Sequence, residues 1–202
     1  MLNQGLARYF SATDLARLGT ARVGIAGAGG LGSNCAMLLA RSGIKRLIIV
    51  DFDTVDASNL NRQFYLPEDI GRPKVAALGE RLWAISPDLN LTLVNHRLSA
   101  ENAPEIFKNA DVVVEALDNA ECKAALINAL ASLGCHIVGA SGLGGIGGPA
   151  MGKKRLGEKL VVVGDFSSEV NDNAPPLAPR VMQAAALEAE TVLEIVLSQM
   201  RS

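Results

Sequence analysis

A chain of 202 residues, 49% apolar and 20% charged, is long enough to bury a sizeable core and too hydrophobic to stay disordered. Nineteen basic and 21 acidic residues leave a net charge of −2, which gives no sign of the concentrated basic face that nucleic acid or a membrane surface calls for. There is no apolar run of about 18 residues, MLNQGLARYF lacks a signal peptide's basic start, and Cys35, Cys122 and Cys135 form neither a disulfide framework nor a CxxC pair; a reducing, cytoplasmic location is expected.

In chain order, residues 1–20 read as a short helical arm, with Asp14 and Arg17 outward and Leu15 and Leu18 inward. Residues 21–27 read as a buried strand and 30–42 as a helix. Residues 46–51 form a second strand, whose unbroken apolar run suits a parallel sheet covered on both faces. Residues 52–71 are polar and irregular. Pro73 suits the first turn of a helix to Ile85. LTLVNH and DVVVEAL read as strands, 100–109 and 119–134 as helices, and CHIVGA as a strand. SGLGGIGGPAMG is a glycine-rich connection, 159–164 a late strand, 165–179 a crossover loop and 180–200 a final helix. Alternating strands and helices without a linker predict one α/β domain with a mostly parallel sheet. Gln183, Glu190, Glu194 and Arg201 share one stripe of the last helix, and most of its remaining circumference is apolar. Such a helix is buried on more than one side, within the monomer or against a second subunit.

Gly27, Gly29, Gly30 and Gly32 stand in a GxGxxG pattern between the first strand and its helix. Glycines permit the tight turn and close approach of a nucleotide, and the helix N-terminus offers N–H groups and a positive dipole end. Asp51 follows 19 residues after Gly32, at the end of the next strand, where an acid bonds ribose hydroxyls. The expected fold is therefore Rossmann-like: a mostly parallel twisted sheet with helices on both faces. This constellation predicts an NAD enzyme as readily as an ATP enzyme. Asn59, Arg62 and Lys74 break the tie, because a triphosphate needs its charge neutralised and its α-phosphate made electrophilic. The plainer alternative for Arg62 and Lys74 is a solvated surface. Asp118 closes the strand DVVVEAL and is either the cap of the next helix, paired with Glu121, or a magnesium ligand. His96 and His136 read as structural residues on strands.

GAGGLGSN, DFDTVDASNLNRQF, GRPK and ALDN together resemble the ThiF/MoeB/HesA family, bacterial relatives of ubiquitin-activating enzymes. The resemblance covers about residues 5–200. It implies binding of ATP and Mg2+ and adenylation of the C-terminal glycine of a small ubiquitin-like sulfur carrier ending in diglycine, as in thiamine biosynthesis. By motif match, Gly29 and Gly32 line the nucleotide and Asp51 holds its ribose. Asn59, Arg62 and Lys74 meet the phosphates, and Asp118 binds magnesium. The resemblance also implies a homodimer in which an arginine of the partner's N-terminal arm reaches the site; Arg8 is the nearest match. The chain departs from many relatives in lacking two zinc-binding CxxC pairs and a cysteine in the crossover loop GDFSSEVNDNAPPLAPR. Neither zinc nor a covalent intermediate is therefore expected, and the three cysteines read as small core residues. The alternatives are ATP-dependent cyclisation of threonylcarbamoyladenosine on tRNA, an NAD-dependent oxidoreductase, and a non-catalytic carrier-binding subunit.

Overall fold

The computed structural model describes residues 2–198. Among these residues seven strands form one sheet: β1 (Arg22–Ala26), β2 (Arg46–Val50), β3 (Asn90–Val94), β4 (Val112–Glu115), β5 (His136–Ala140), β6 (Gly152–Arg155) and β7 (Leu160–Gly164), in the order β3-β2-β1-β4-β5-β7-β6. All neighbours are parallel except β6 and β7. Seven α-helices accompany them among the described residues: α1 (Leu2–Leu6), α2 (Ala12–Thr20), α3 (Gly30–Arg41), α4 (Lys74–Ile85), α5 (Ala103–Phe107), α6 (Ala120–Ala131) and α7 (Ala178–Ser198). The fold is the expected α/β arrangement.

The apolar runs explain the layering. Alternate residues of each parallel strand face opposite sides, so both sides need a helical cover. Val23, Ile25, Leu47, Ile49, Val112 and Val114 join the core beneath α3, α4 and α7. Ala26, Val50, Val113 and Ile137 join the second core, beneath α5 and α6. Gly24 on β1 makes room there: a Cβ would stand 2.6 Å from the ring of the fully buried Phe107. From β1 the chain winds outward through β2 and β3, then returns to lay β4 on the other side of β1. The carboxyl ends of β1 and β4 thus diverge, which opens a crevice at that edge.

Several expectations need correction. The arm is two helices, and Asp14 and Arg17 are half-buried rather than outward; they pair at 3.5 Å, and Arg17 also donates to the carbonyl of Leu197 on α7. The glycine-rich connection runs into β6, whose Lys153, Lys154 and Arg155 are exposed on the sheet's antiparallel edge. A charged edge strand has no apolar alternation to reveal it, and its charges discourage edge-to-edge pairing. Residues 95 and 96 do not continue β3, so His96 is an exposed loop residue; its Nδ1 lies 2.9 Å from the Arg97 carbonyl. On α7, Gln183, Glu190 and Glu194 are exposed as expected, and Arg201 lies outside the described residues. Among the described residues no helix is long and apolar enough to cross a membrane.

Candidate active site

The site grows from the turn after β1. Gly27 has φ of 103°, in the left-handed region, and a Cβ on it would stand 2.8 Å from the carbonyl oxygen of Ala116 beyond β4. A Cβ on Gly32 would collide with the carbonyl oxygen of Gly27. These two glycines therefore serve the turn and the seating of α3. A Cβ on Gly30 would meet Val181 at 2.9 Å and the stem of Arg62 at 3.5 Å, whereas one on Gly29 would meet nothing within 4 Å. Gly29 is thus the open position, and it caps α3 without a side chain over the helix's leading N–H groups.

Asp51 follows β2 and closes on this turn. Its Oδ2 accepts the N–H of Ala28 at 2.6 Å and its Oδ1 the N–H of Asp53 at 2.8 Å. Ionised carboxylates have about four acceptor positions, so capacity remains for ribose hydroxyls.

The next loop is fastened to α3 by three residues that motif reading left aside. Asn34 donates from its amide to the carbonyls of Gly30 at 2.7 Å and Arg62 at 2.8 Å. Ser33 Oγ donates to the Gly29 carbonyl and accepts the N–H of Phe64 at 3.0 Å. The buried hydroxyl of Tyr65 donates to the carbonyl of Ala28 at 2.8 Å and lies 3.3 Å from that of Lys74. Burial, helped by Asp51, Asp69 and Asp53, pushes the Tyr65 phenol well above its ordinary range, so it stays protonated. The only sequence hint was the run of small polar residues in GLGSN. Together these bonds bring Arg62 against Gly30. Its Nη1 rests on the carbonyl of Ser58 at 3.1 Å and on Asn61 Oδ1 at 2.8 Å, and Asn59 Oδ1 accepts the N–H of Asp56.

Lys74 is the first residue of α4. It is only 7% exposed, and Nζ lies 2.9 Å from Asp53 Oδ2. A solvated surface is thereby ruled out for Lys74: this cation sits at the positive end of a helix, compensated by one carboxylate.

Asp118 is exposed beyond β4, and among the described residues its carboxylate has no hydrogen bond or ion pair. The capping expectation is corrected, because Asn119 caps α6 by accepting the N–H of Cys122 at 2.9 Å. No three carboxylate, imidazole or thiol groups converge on a metal position among the described residues. An unpaired carboxylate nevertheless suits Mg2+, which is commonly held by one or two carboxylates with substrate phosphates and water. Arg8 is exposed and is not brought together with these residues. The helix before it packs at the other end of the sheet, where Leu6 faces Gly43 and Asn3 reaches Asp88. Cys35 and Cys135 are buried as expected, but Cys122 is exposed, because it faces outward on the first turn of α6.

The carboxyl end of the sheet therefore carries an open glycine turn, the acid Asp51 bonded to it, the cations Arg62 and Lys74, and a carboxylate, Asp118, without a partner among the described residues. Comparison with protein families matches residues 2–196 to the ThiF family. The chain belongs to the ThiF family. It is 30% identical over 179 residues to a tRNA threonylcarbamoyladenosine dehydratase of Haemophilus influenzae, covering 88% of this chain and 64% of that protein. It is 38% identical over 128 residues to the sulfur carrier protein ThiS adenylyltransferase of Escherichia coli K12, covering 63% of this chain and 51% of that protein. This ThiF-family chain thus spans between half and two thirds of these two relatives. The fold is shared with a crystal structure of E. coli tRNA N6-threonylcarbamoyladenosine dehydratase in complex with ATP. The TM-score is 0.89 at 23% identity, over 98% of this chain and 94% of that one.

Proposed function

We propose that this ThiF-family chain transfers the adenylyl group of ATP to a carboxylate, and that the carboxylate is the C-terminal glycine of a small ubiquitin-like sulfur carrier. One observation carries the reading: Arg62 and the buried Lys74 lie just beyond an open glycine turn and its ribose-type acid. An NAD enzyme has no use for that second half. Gly29 and the α3 N-terminus receive the phosphates, Asp51 the ribose, and Arg62, Lys74 and Asn59 the triphosphate charge. A carboxylate oxygen attacks the α-phosphorus, and the bond to the β-phosphate oxygen breaks as pyrophosphate leaves with its electron pair. The carboxylate is already ionised at neutral pH, so no general base is required. Catalysis is then positioning and charge stabilisation. Mg2+, held by Asp118 and phosphate oxygens, would supply further neutralisation.

The acceptor reading is supported by the names of curated relatives, which include sulfur carrier protein adenylyltransferases of E. coli and Thermus thermophilus. A cavity of about 440 Å3 beside the crossover loop, lined by Gly147, Pro149, Leu177 and Gln183, leaves room for a narrow, glycine-ended chain. Without a cysteine in that loop, the adenylate is the product released, and no thioester or persulfide forms on this chain. A second reading, activation of the carboxylate of threonylcarbamoyladenosine on tRNA, is favoured by the Haemophilus relative's match over 88% of the chain. A net charge of −2 gives it no support.

ATP–pyrophosphate exchange decides between them. We expect exchange to depend on a carrier ending in diglycine, and to collapse in Arg62→Ala and Asp118→Ala. Exchange stimulated by tRNA and not by the carrier would establish the second reading, and exchange with neither would sink both.

A further inference from the structure

Two paired ionisable side chains that the reaction above does not use, the buried Glu115 and the half-buried Lys123, flank the Asp118 turn. Glu115 ends β4 and is 1% exposed. Its Oε1 accepts the N–H of Leu117 at 2.8 Å, and Lys123 Nζ lies 3.2 Å from Oε1 and 3.0 Å from Oε2. Lys123 follows the first turn of α6, and its Nζ also stands 3.5 Å from the carbonyl of Ala140 at the end of β5. Gly139 lies directly beside Glu115 on β5, and a Cβ there would stand 3.3 Å from Oε2. The glycine leaves the carboxylate its space.

An ion pair with one partner buried gives little net stability, because desolvation of the buried charge offsets much of the attraction. Its consequence here is geometric. Glu115 holds the backbone of Leu117, Asn119 holds the backbone of Cys122, and Lys123 draws α6 onto the ends of β4 and β5. Asp118 stands between these attachments, and its carboxylate has no hydrogen bond or ion pair among the described residues. No protein partner restrains its side chain there, so the backbone of the turn sets the region its carboxylate can reach.

The geometry points to the Glu115–Lys123 pair as a positioning device, which holds the Asp118 turn where its carboxylate meets the metal–nucleotide ligand. This inference rests on the reading of Asp118 as the magnesium ligand. Groups that orient a metal ligand from behind typically change metal affinity by about 10- to 100-fold when removed. A purely structural brace would change folding stability and leave that affinity alone.

The test is ATP affinity by calorimetry with and without Mg2+, together with electron paramagnetic resonance of bound Mn2+–ATP. The proteins compared are wild type, Asp118→Asn, Lys123→Met, Lys123→Arg and the double variant Glu115→Gln/Lys123→Met. The double variant removes both charges of the pair, so no buried Glu115 carboxylate is left without its lysine. Lys123→Met and the double variant should lose about tenfold of the Mg2+-dependent gain in ATP affinity. Their metal-free affinity should stay within about twofold, and Lys123→Arg should restore most of the gain. A full Mg2+ gain in both variants, with loss in Asp118→Asn, overturns the positioning role. A full gain in Asp118→Asn itself overturns the metal reading and the positioning role with it.

Discussion

Lys74 and Asp53, 21 residues apart in sequence, meet at 2.9 Å where α4 begins beside the loop after β2. The lysine side chain is 8% exposed and the aspartate 46%, so the ammonium is buried while its partner stays open to solvent. On the proposed function, an arriving triphosphate would share the cation and meet the repulsion of the carboxylate. We expect Lys74→Ala to lower pyrophosphate exchange by about 100-fold or more. Asp53→Asn should tighten ATP binding by about threefold, and calorimetry showing weaker binding would contradict the sharing of Lys74.

The glycines separate fold from function. Gly32→Ala drives a methyl into the carbonyl of Gly27 and should abolish soluble, cooperative folding. Gly29→Ala meets nothing within 4 Å and loses only the better N-cap, so thermal melting should stay within about 4 °C of wild type. The same methyl occupies the space above the α3 N-terminus and should weaken ATP binding by about tenfold or more. A Gly29→Ala protein that binds ATP normally would move the phosphates elsewhere.

Tyr65→Phe leaves the Ala28 carbonyl without its buried donor. Urea denaturation should report a loss of about 1–2 kcal/mol. The loop carrying Arg62 should also become more sensitive to protease, because Tyr65 joins that loop to the glycine turn.

Glu188 is fully buried on α7, and neither carboxyl oxygen has a hydrogen-bond partner among the described residues. Burial, with the nearby Glu115 charge, outweighs the attraction of Lys123 and raises its pKa well above the ordinary range. A folded-state pKa above the unfolded one means that the stability contributed by the bound proton is fully present below about pH 4.3 and is lost as pH rises. Glu188→Leu should therefore stabilise the protein by about 1–3 kcal/mol, and more at pH 8 than at pH 5. Equal gains at the two pH values, measured by urea midpoints, would show that Glu188 does not keep its proton in the folded state.

Cys122 is exposed while Cys35 and Cys135 are buried. A native-state thiol titration should count one reactive group, and three after denaturation. Mass spectrometry after incubation with ATP and carrier should find no reductant-sensitive adduct; one on Cys122 would overturn release of a free adenylate.

The parallel sheet, the glycine turn and the acid after β2 were legible because their signals are local. An unbroken apolar run reports burial on both faces, and a glycine reports a close approach within a few residues. Strand β6 was not legible, since KKR on an exposed edge carries charge and no alternation. The cap of α6 was misread by one residue, because Asp118 and Asn119 are both good caps and only the backbone geometry chooses Asn119.

Sequence alone determined the α/β class and the family resemblance, and it singled out Arg62, Lys74 and Asp118 as candidates beyond the glycine turn. It could not decide which charges are buried or paired, because the environment of a charge is made by residues distant in the chain. Tertiary structure buried Lys74 against Asp53 and joined Glu115 to Lys123; among the described residues it left the Glu188 carboxyl on α7 without a hydrogen bond and Asp118 without a partner. It also separated the glycines into two that shape the turn and one that stays open. Sequence places the chemistry on the chain; only packing sets the dielectric surroundings and the partner of each group, and these decide what a charge can do.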